Sequence, residues 1–359
     1  MRVLIAFPNS DTANPFVKEL VNGLTDNGCD VTWDLDMFWN KTGCYDIIHI
    51  QWPEYLFTDE IHFNELNIRL LRDRLSFWRN SAKIILTRHN EHPNYSENRK
   101  AYKDLYTMVY SYCDGIAHMG PYNIENFKSK HQINIAGKEI IHTIIEHHVY
   151  TNSYANTISL KQARRILKIN DNRFVILIFG RIRFKEERKF LTKLFKRKEF
   201  KDCLFLIPSW LPPTNGKGLR NLFKKIFHTS ILLLMNSSGH IKACNIFVRD
   251  NETQFYFNSS DVVLVPRLEG LNSGNIMLAF SFKKVAVGPD IGNMAFDLRE
   301  FGNPIFKPDS IESLISALNS AKKLTSQGWG HINYIKSNTL RNSNVISQKY
   351  IKLYSQSIV

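Results

Sequence analysis

The sequence predicts an α/β protein made of two doubly wound domains in tandem, and three observations carry that expectation. Apolar runs of strand length alternate with segments whose apolar residues recur at helical spacing. The alternation runs through residues 1–150, pauses at a polar stretch, TNSYANTIS, and starts afresh at RFVILIFG. The chain has 359 residues, 43% of them hydrophobic, which is enough to bury two separate cores.

The first strand, VLIAF from Val3, ends at PNSDTANPF, and PFVKELVNGLTDNG then repeats apolar residues at helical spacing up to a stop at Gly28. CDVTWD and YDIIHIQW follow as strands, and strand, helix, strand is the sign of a parallel sheet with crossover helices. NELNIRLLRDRLSFWRN reads as a helix, KIILTRHN as a strand, SENRKAYKDLYTMVYSY as a helix and DGIAHMG as a short strand; KEIIHTIIEHHVY closes this first domain, residues 1–150. Residues 151–172 read as a linker that contains a short helix, LKQARRILKI.

The second domain, 173–330, opens with the strand RFVILIFG and continues with a basic helix, the strand DCLFLIPSW and another basic helix. Strands are expected at ILLLMN and near NIFVRD, then a short helix before DVVLVP. The stretch VPRLEGLNSGNIMLAFSFKKVAVGPDIG comes next, followed by an amphipathic helix, SIESLISALNSAKKL, with Ser310 as its cap. Residues 331–359 look helical and are expected to pack back on the first domain.

Composition excludes several classes. The longest apolar runs are strand-sized, far from the roughly 18–20 residues a membrane-crossing helix needs. MRVLIAFPNS reads as a buried first strand and not as an export signal. Five scattered cysteines with no C-x-x-C pair match a reducing, cytoplasmic setting and indicate neither a zinc site nor a disulfide framework.

Net charge is +14 and unevenly spread. Residues 1–150 hold 15 Lys+Arg against 19 Asp+Glu, the remainder 32 against 14, and residues 161–230 alone 19 against 5. Such a block attracts nucleic acid, anionic lipid headgroups or a phosphorylated ligand, unless it is only a solvated helical face. A nucleic-acid partner is disfavoured, because the block carries no recognisable reading motif or aromatic stacking series.

Ligands of open parallel sheets bind outside the carboxyl ends of the strands, so residues just after strands are the informative ones. In LNSGN, Gly270 and Gly274 allow close backbone approach, and Ser273 and Asn275 offer short polar side chains at a helix start. These are the elements of a phosphate site, although Ser and Asn are also ordinary caps. In FGRIRFKEERKF, a strand ends at Gly180 and is followed by Arg181, Arg183 and Lys185. Cations there suit a diphosphate, and at a helix start they oppose the dipole, so structure alone gives little reason for them.

These residues resemble the glycosyltransferases of the GT-B fold, family 4-like. GRIRFK resembles the family's glycine-arginine-x-x-x-lysine motif, and EGLNSG and PDIGNM resemble its sugar-nucleotide loops. ANPF, HIQWPE, RHNEHPN, EHHVY and GNPIFKPDSIESLISAL extend the likeness, as short islands in order, over nearly the whole chain. The resemblance implies two Rossmann-like domains facing a central cleft and metal-independent transfer of a sugar from a nucleotide-diphosphate donor. UDP or GDP is the expected nucleotide, the acceptor a hydroxyl of a glycan or lipid-linked glycan, and the setting bacterial surface polysaccharide assembly. The basic block is the candidate for peripheral contact with an anionic membrane, although members of that family often use the first domain for it and this first domain is acidic overall.

By that resemblance Arg181 and Lys185 bind the diphosphate and stabilise the leaving charge, and Gly180, Glu269, Gly270, Leu271, Asn272, Ser273, Gly274 and Asn275 complete the donor site. The family's second glutamate falls at 277, where this chain has Met277. A binding protein without catalysis therefore stays open as an alternative.

The first domain is expected to hold the acceptor. Asn14, His49, Trp52, Glu54 and Asn90 are its candidate binding residues, and His89 and His118 its candidate catalytic ones. His49, His89 and His118 stand at three strand ends and are expected to converge on one sheet edge, where a histidine or carboxylate either acts as general base or binds the sugar. Asp34 and Asp36 form an Asp-x-Asp arrangement of a kind that holds a divalent metal in a different glycosyltransferase fold, but here it follows the second strand of the wrong architecture; His89 with His92, and His147 with His148, lack a carboxylate or cysteine pattern at ligand spacing, so no metal is expected.

Overall fold

The computed structural model describes every residue except 10–13, 59–61, 92–98, 132–138, 170–171, 213, 215–217 and 359. The chain divides into two compact units, Met1–Tyr150 with Leu340–Val359, and Thr151–Thr339. Elements run β1 (Arg2–Ala6), α1 (Pro15–Asp26), β2 (Asp30–Trp33), α2 (Leu35–Asn40), β3 (Ile47–Ile50), α3 (Glu65–Arg79), β4 (Lys83–Arg88), α4 (Arg99–Tyr112), β5 (Gly115–His118), α5 (Pro121–Lys130) and β6 (Ile141–Ile144). They continue with α6 (Leu160–Ile166), β7 (Phe174–Leu177), α7 (Lys185–Phe195), β8 (Cys203–Ile207), α8 (Leu219–Asn236), β9 (Ile241–Ala243), α9 (Thr253–Ser259), β10 (Val262–Leu264), α10 (Gly274–Ser281), β11 (Val285–Pro289), α11 (Gly292–Glu300) and β12 (Ile305–Phe306). Three helices close the chain: α12 (Ile311–Ser326), α13 (Trp329–Arg341) and α14 (Ser343–Ile358).

Among the described residues each unit holds a six-stranded parallel sheet, ordered β2-β1-β3-β4-β5-β6 and β12-β11-β10-β7-β8-β9. Parallel sheets are covered on both faces, which is why their strands read as apolar runs without polar alternation. In the first unit Leu4, Ile48, Ile84 and Ile116 face α3 and α4, while Val3, Ile5, Ile47 and Ile85 face α1 and α14. The core of the second unit gathers β7, β8, β10 and β11 under α7 and α12.

Helix ends follow their local chemistry. Asn14 caps α1 by accepting from the Phe16 N–H at 3.0 Å, with Pro15 at the first helical position. Ser310 caps α12 by accepting from the Ser313 N–H at 3.1 Å.

Three expectations are corrected. Residues 151–172 belong to the second unit: Ser159 and Gln162 form a capping box on α6, and Arg164 pairs with Asp261 at 2.9 Å. ILLLMN is the end of α8 and not a strand, because Ile231, Leu232 and Met235 repeat at helical spacing and pack on the core. NIFVRD is not a strand either; the pairing strand is β9, and beyond it only an isolated bridge joins Asn245 to Ser209.

Helix α14 returns to the first unit, where Ile346, Tyr350, Leu353 and Tyr354 are fully or almost fully buried, each contributing about 1.5–3 kcal/mol. Its crossing with α1 depends on Gly23, because a Cβ there would collide with Ser347 Oγ and the Ser343 carbonyl. Gly23→Val is therefore expected to lower unfolding stability by roughly 1–3 kcal/mol or more. Urea denaturation tests this, and an unchanged midpoint would show that the close crossing carries no stability.

Candidate functional site

The second sheet reverses its winding at β7, with β8 and β9 on one side and β10 to β12 on the other. At such a reversal the loops leaving adjacent strands diverge and open a crevice. Here they are the loop after β7, which carries Gly180, Arg181 and Arg183, and the loop after β10, which carries Glu269 to Ser273. The sequence-predicted donor motifs thus leave the two strands that flank the reversal.

Polar contacts lock these loops together. Asn275 Nδ2 donates to the Phe179 carbonyl at 2.9 Å, fastening the first turn of α10 to the loop after β7. Arg267 is buried, donates to the Arg181 carbonyl at 3.1 Å and pairs with Glu187 at 3.1 Å. Glu187 is fully buried at the third position of α7 and accepts from the N–H groups of Arg183 at 2.7 Å and Phe184 at 3.3 Å. This pair fixes the backbone from 181 to 184, while the Arg181 and Lys185 side chains remain exposed.

The loop after β11 joins the same assembly. The Asn293 N–H donates to the Leu271 carbonyl at 2.9 Å, and Asn293 Nδ2 donates to Asn272 Oδ1 at 2.8 Å. Gly292 has φ 56°, and a Cβ there would lie 2.8 Å from the Leu271 oxygen, so only glycine permits this approach.

Three helices begin around these loops: α7 at Lys185, α10 at Gly274 and α11 at Gly292. Their N-terminal turns supply N–H donors and the positive ends of helix dipoles. Ser273 occupies the cap position of α10 without a side-chain bond to the helix, so its hydroxyl does not serve as the ordinary cap. Glycine-lined backbone, helix N-termini and exposed cations together suit a phosphate or diphosphate.

Among the predicted donor residues, Glu269 and Gly270 are exposed and Gly270 has φ 129°, whereas Leu271 is buried in the loop's packing. Asn272 and Asn275 use side-chain atoms to join loops. Met277 is fully buried in α10, so the position where the resemblance places a second glutamate faces the core. Glu187 and Arg267 were not legible as a pair, since 80 residues separate them; a glutamate in the first turn of a basic helix was the available signal.

In the first unit the three histidines do not converge. Strand alternation puts His49 on the α14 face, bonded through Nε2 to Thr87 Oγ1 at 2.8 Å and through Nδ1 to the Tyr354 hydroxyl at 2.6 Å. His118 lies on the opposite face against Phe127, 2.9 Å from His142 Nδ1. Both are fully buried core groups, which corrects their assignment to sugar binding and catalysis.

His89, just beyond β4, is buried as well, but it lies against half-buried Trp52. His89 Nε2 meets Gln51 Oε1 at 3.0 Å, and Gln51 Nε2 meets His49 Nε2 at 3.0 Å, so a hydrogen-bonded chain runs from Tyr354 through His49 and Gln51 to His89. With Gln51 so oriented, His89 Nε2 carries the proton and Nδ1 the lone pair. Its ring stacks on Trp52 at 3.7 Å between centroids and meets Phe16 edge-on at 4.6 Å. His147 and His148 pack on the same Phe16 ring.

Burial pushes His89 well below the usual imidazole range, with nearby His147, His49 and His148 adding to the effect. Burial also lowers His49 to about 3 and His147 to about 3. These rings are neutral at neutral pH.

Glu54 accepts from the Tyr106 hydroxyl at 2.7 Å, Asn14 is the α1 cap, and Asn90 is half-buried beside His89. Asp34 caps α2 by accepting from the Asp36 and Met37 N–H groups. His92 lies outside the described residues. Among the described residues no group of three or more His, Cys, Asp or Glu is arranged to hold a metal ion.

Solved structures supply the comparison. Sucrose-phosphate synthase from Thermosynechococcus elongatus is similar at 13% identity, over 99% of this chain and 98% of that one, with a TM-score of 0.67. The catalytic domain of starch synthase IV from Arabidopsis thaliana, bound to ADP and acarbose, matches at 11% identity over 99% of each chain, with a TM-score of 0.68. HepE of Anabaena in complex with UDP matches at 11% identity over 99% and 100%, with a TM-score of 0.63. No protein-family model matches the chain, and no curated protein matches it in sequence. The fold is that of the GT-B glycosyltransferases, with two Rossmann-like domains.

Two outcomes are expected from the site's physics. Arg267→Met leaves the Glu187 carboxylate buried without its cation and should cost roughly 3–5 kcal/mol, whereas Arg181→Ala at an exposed position should change stability by no more than about 0.5 kcal/mol. Chemical denaturation of both variants checks this, and equal midpoints would refute the positioning role of the buried pair.

The second outcome concerns pH. His49 and His147 titrate near 3 when folded and about 6.5 when unfolded. Their contribution is complete above about pH 6.5 and declines as pH falls toward 3, by about 1.4 kcal/mol per pH unit for each ring. Thermal midpoints should drop from pH 7.5 to pH 5, and His49→Gln should flatten the drop; a level wild-type profile would contradict the buried neutral state.

Proposed function

We propose that this protein is a glycosyltransferase that moves a sugar from a nucleotide-diphosphate donor to a hydroxyl of a glycan or lipid-linked glycan, without a metal ion, in bacterial polysaccharide assembly in the cytoplasm. The observation that carries this reading is the cradle in the second unit, where glycine-containing loops and three helix N-termini surround a backbone that presents Arg181 and Lys185. The solved structures of like fold include one with ADP bound and one with UDP bound, which supports a nucleoside diphosphate as its ligand.

In this reading Arg181 and Lys185 meet the diphosphate. As the bond from the sugar's anomeric carbon to the phosphate oxygen breaks, negative charge grows on that oxygen, and fixed cations and N–H dipoles stabilise it more than they stabilise the intact donor. Ser273 and the backbone from Glu269 to Gly274 complete the donor site. Half-buried Trp52, stacked on the neutral His89 ring, offers a face suited to the apolar side of an acceptor sugar; the lowered basicity of the buried His89 favours hydrogen bonding over holding a proton.

A second reading, nucleotide-sugar binding without transfer, draws support from the buried Met277. Calorimetric titration with UDP, GDP, ADP and CMP, repeated on Arg181→Ala and Lys185→Ala, tests the donor site. One diphosphate should bind, with affinity reduced about tenfold or more in each variant, or ~1.4 kcal/mol. Absence of binding by all four would overturn the reading, and binding without sugar transfer or donor hydrolysis would favour the second one.

A further inference from the structure

We infer that α8 docks the protein on the surface of an anionic lipid bilayer. No residue of this 18-residue helix is buried. Its inner face, with Ile231, Leu232 and Met235, rests half-buried on the core beside β9, the last strand of its sheet.

The opposite face is also apolar. Leu222, Phe223, Ile226, Phe227, Leu233 and Leu234 are 53% to 76% exposed, and their spacing places them on one side of a 3.6-residue helix. Scattered exposed apolar side chains are ordinary, but two exposed apolar clusters on one side of a single helix, 222–227 and 233–234, interrupted there by Ser230, mark a contact surface. Phe247, which follows β9, is 85% exposed as well.

Charge selects the occupant. Arg220 and Lys225 fall on the two borders of the apolar face, Lys224 lies next to the Arg220 border, and α8 contains no aspartate or glutamate. An interfacial helix sinks its apolar face to the level where headgroups meet acyl chains, and cations on its borders reach anionic headgroups along their aliphatic stems. A second copy of this chain would oppose two sets of the same cations across a symmetric contact. Leu222, Ile226, Leu233 and Leu234 offer nothing that nucleic acid could use for stacking or hydrogen bonding. The proposal does not rest on the transfer activity.

The test is flotation of the full chain with vesicles of phosphatidylcholine alone and of phosphatidylcholine with phosphatidylglycerol. The protein should float with the anionic vesicles and only weakly with the neutral ones. The double variant Phe223→Asp/Phe227→Asp should reduce the bound fraction about tenfold while leaving the thermal midpoint unchanged, since both rings are already exposed. Lys224→Glu/Lys225→Glu should abolish the preference for phosphatidylglycerol. The proposal is overturned if the wild type stays unbound with anionic vesicles, or if the Asp variant floats equally well. Light scattering that shows a wild-type dimer converted to a monomer by the same Asp substitutions would instead make this face an interface between copies.

Discussion

A parallel strand can reach its neighbour only by a crossover that returns over one face of the sheet, and a chain that covers both faces must reverse its winding once. In both units the reversal lies at the first strand, between β1 and β3 and between β7 and β10. That constraint decides where chemistry can sit, because only at the reversal do neighbouring loops part. Gln51 and Trp52 follow β3, and Arg181 and the 269–273 loop follow β7 and β10, so polar groups gather where the backbone leaves room for them.

The loop after β7 then needs rigidity, since a cation on a mobile loop would lose entropy on meeting its ligand. The buried Glu187–Arg267 pair supplies it. Desolvating two charges is expensive, and the cost is tolerable when remaining donors and acceptors are satisfied. Here Glu187 also accepts two backbone N–H groups, and Arg267 also donates to the Arg181 carbonyl. The unit thus hides one ion pair to hold in place a backbone whose cationic side chains stay at the surface.

Which parts were legible in the sequence follows from the range of each interaction. RFVILIFG and DVVLVP are apolar runs bounded by breakers, and both are strands in the predicted order; the glycine-rich and cationic segments after them lie where the rule for strand ends puts them. ILLLMN misled because five apolar residues in a row carry no period, and only with 222–227 included does the helical repeat of α8 appear. The histidines show a different limit: their places along the strands are legible, but the two-residue alternation that sends His49 and His118 to opposite faces depends on register, which a single sequence does not state. Glu187 with Arg267, and His49 with Tyr354, are contacts between distant segments and left no local trace.

The two units differ in charge. The first holds 18 Lys+Arg against 19 Asp+Glu, and the second holds 29 against 14. The proposed diphosphate would engage about two of the second unit's cations, and screening over about 8 Å at physiological salt would remove more distant ones from its binding energy. Three of the 29 lie in α6, four in α7 and three in α8, and the others are scattered through the rest of the unit, where their excess over acidic groups works against folding through mutual repulsion. Repulsion of this kind is compatible with a stable domain when a large anionic surface offsets it, and α8 joins the same charge to an apolar face that water alone does not favour. The charge of the second unit is thus better matched to an extended anionic surface than to a small ligand alone.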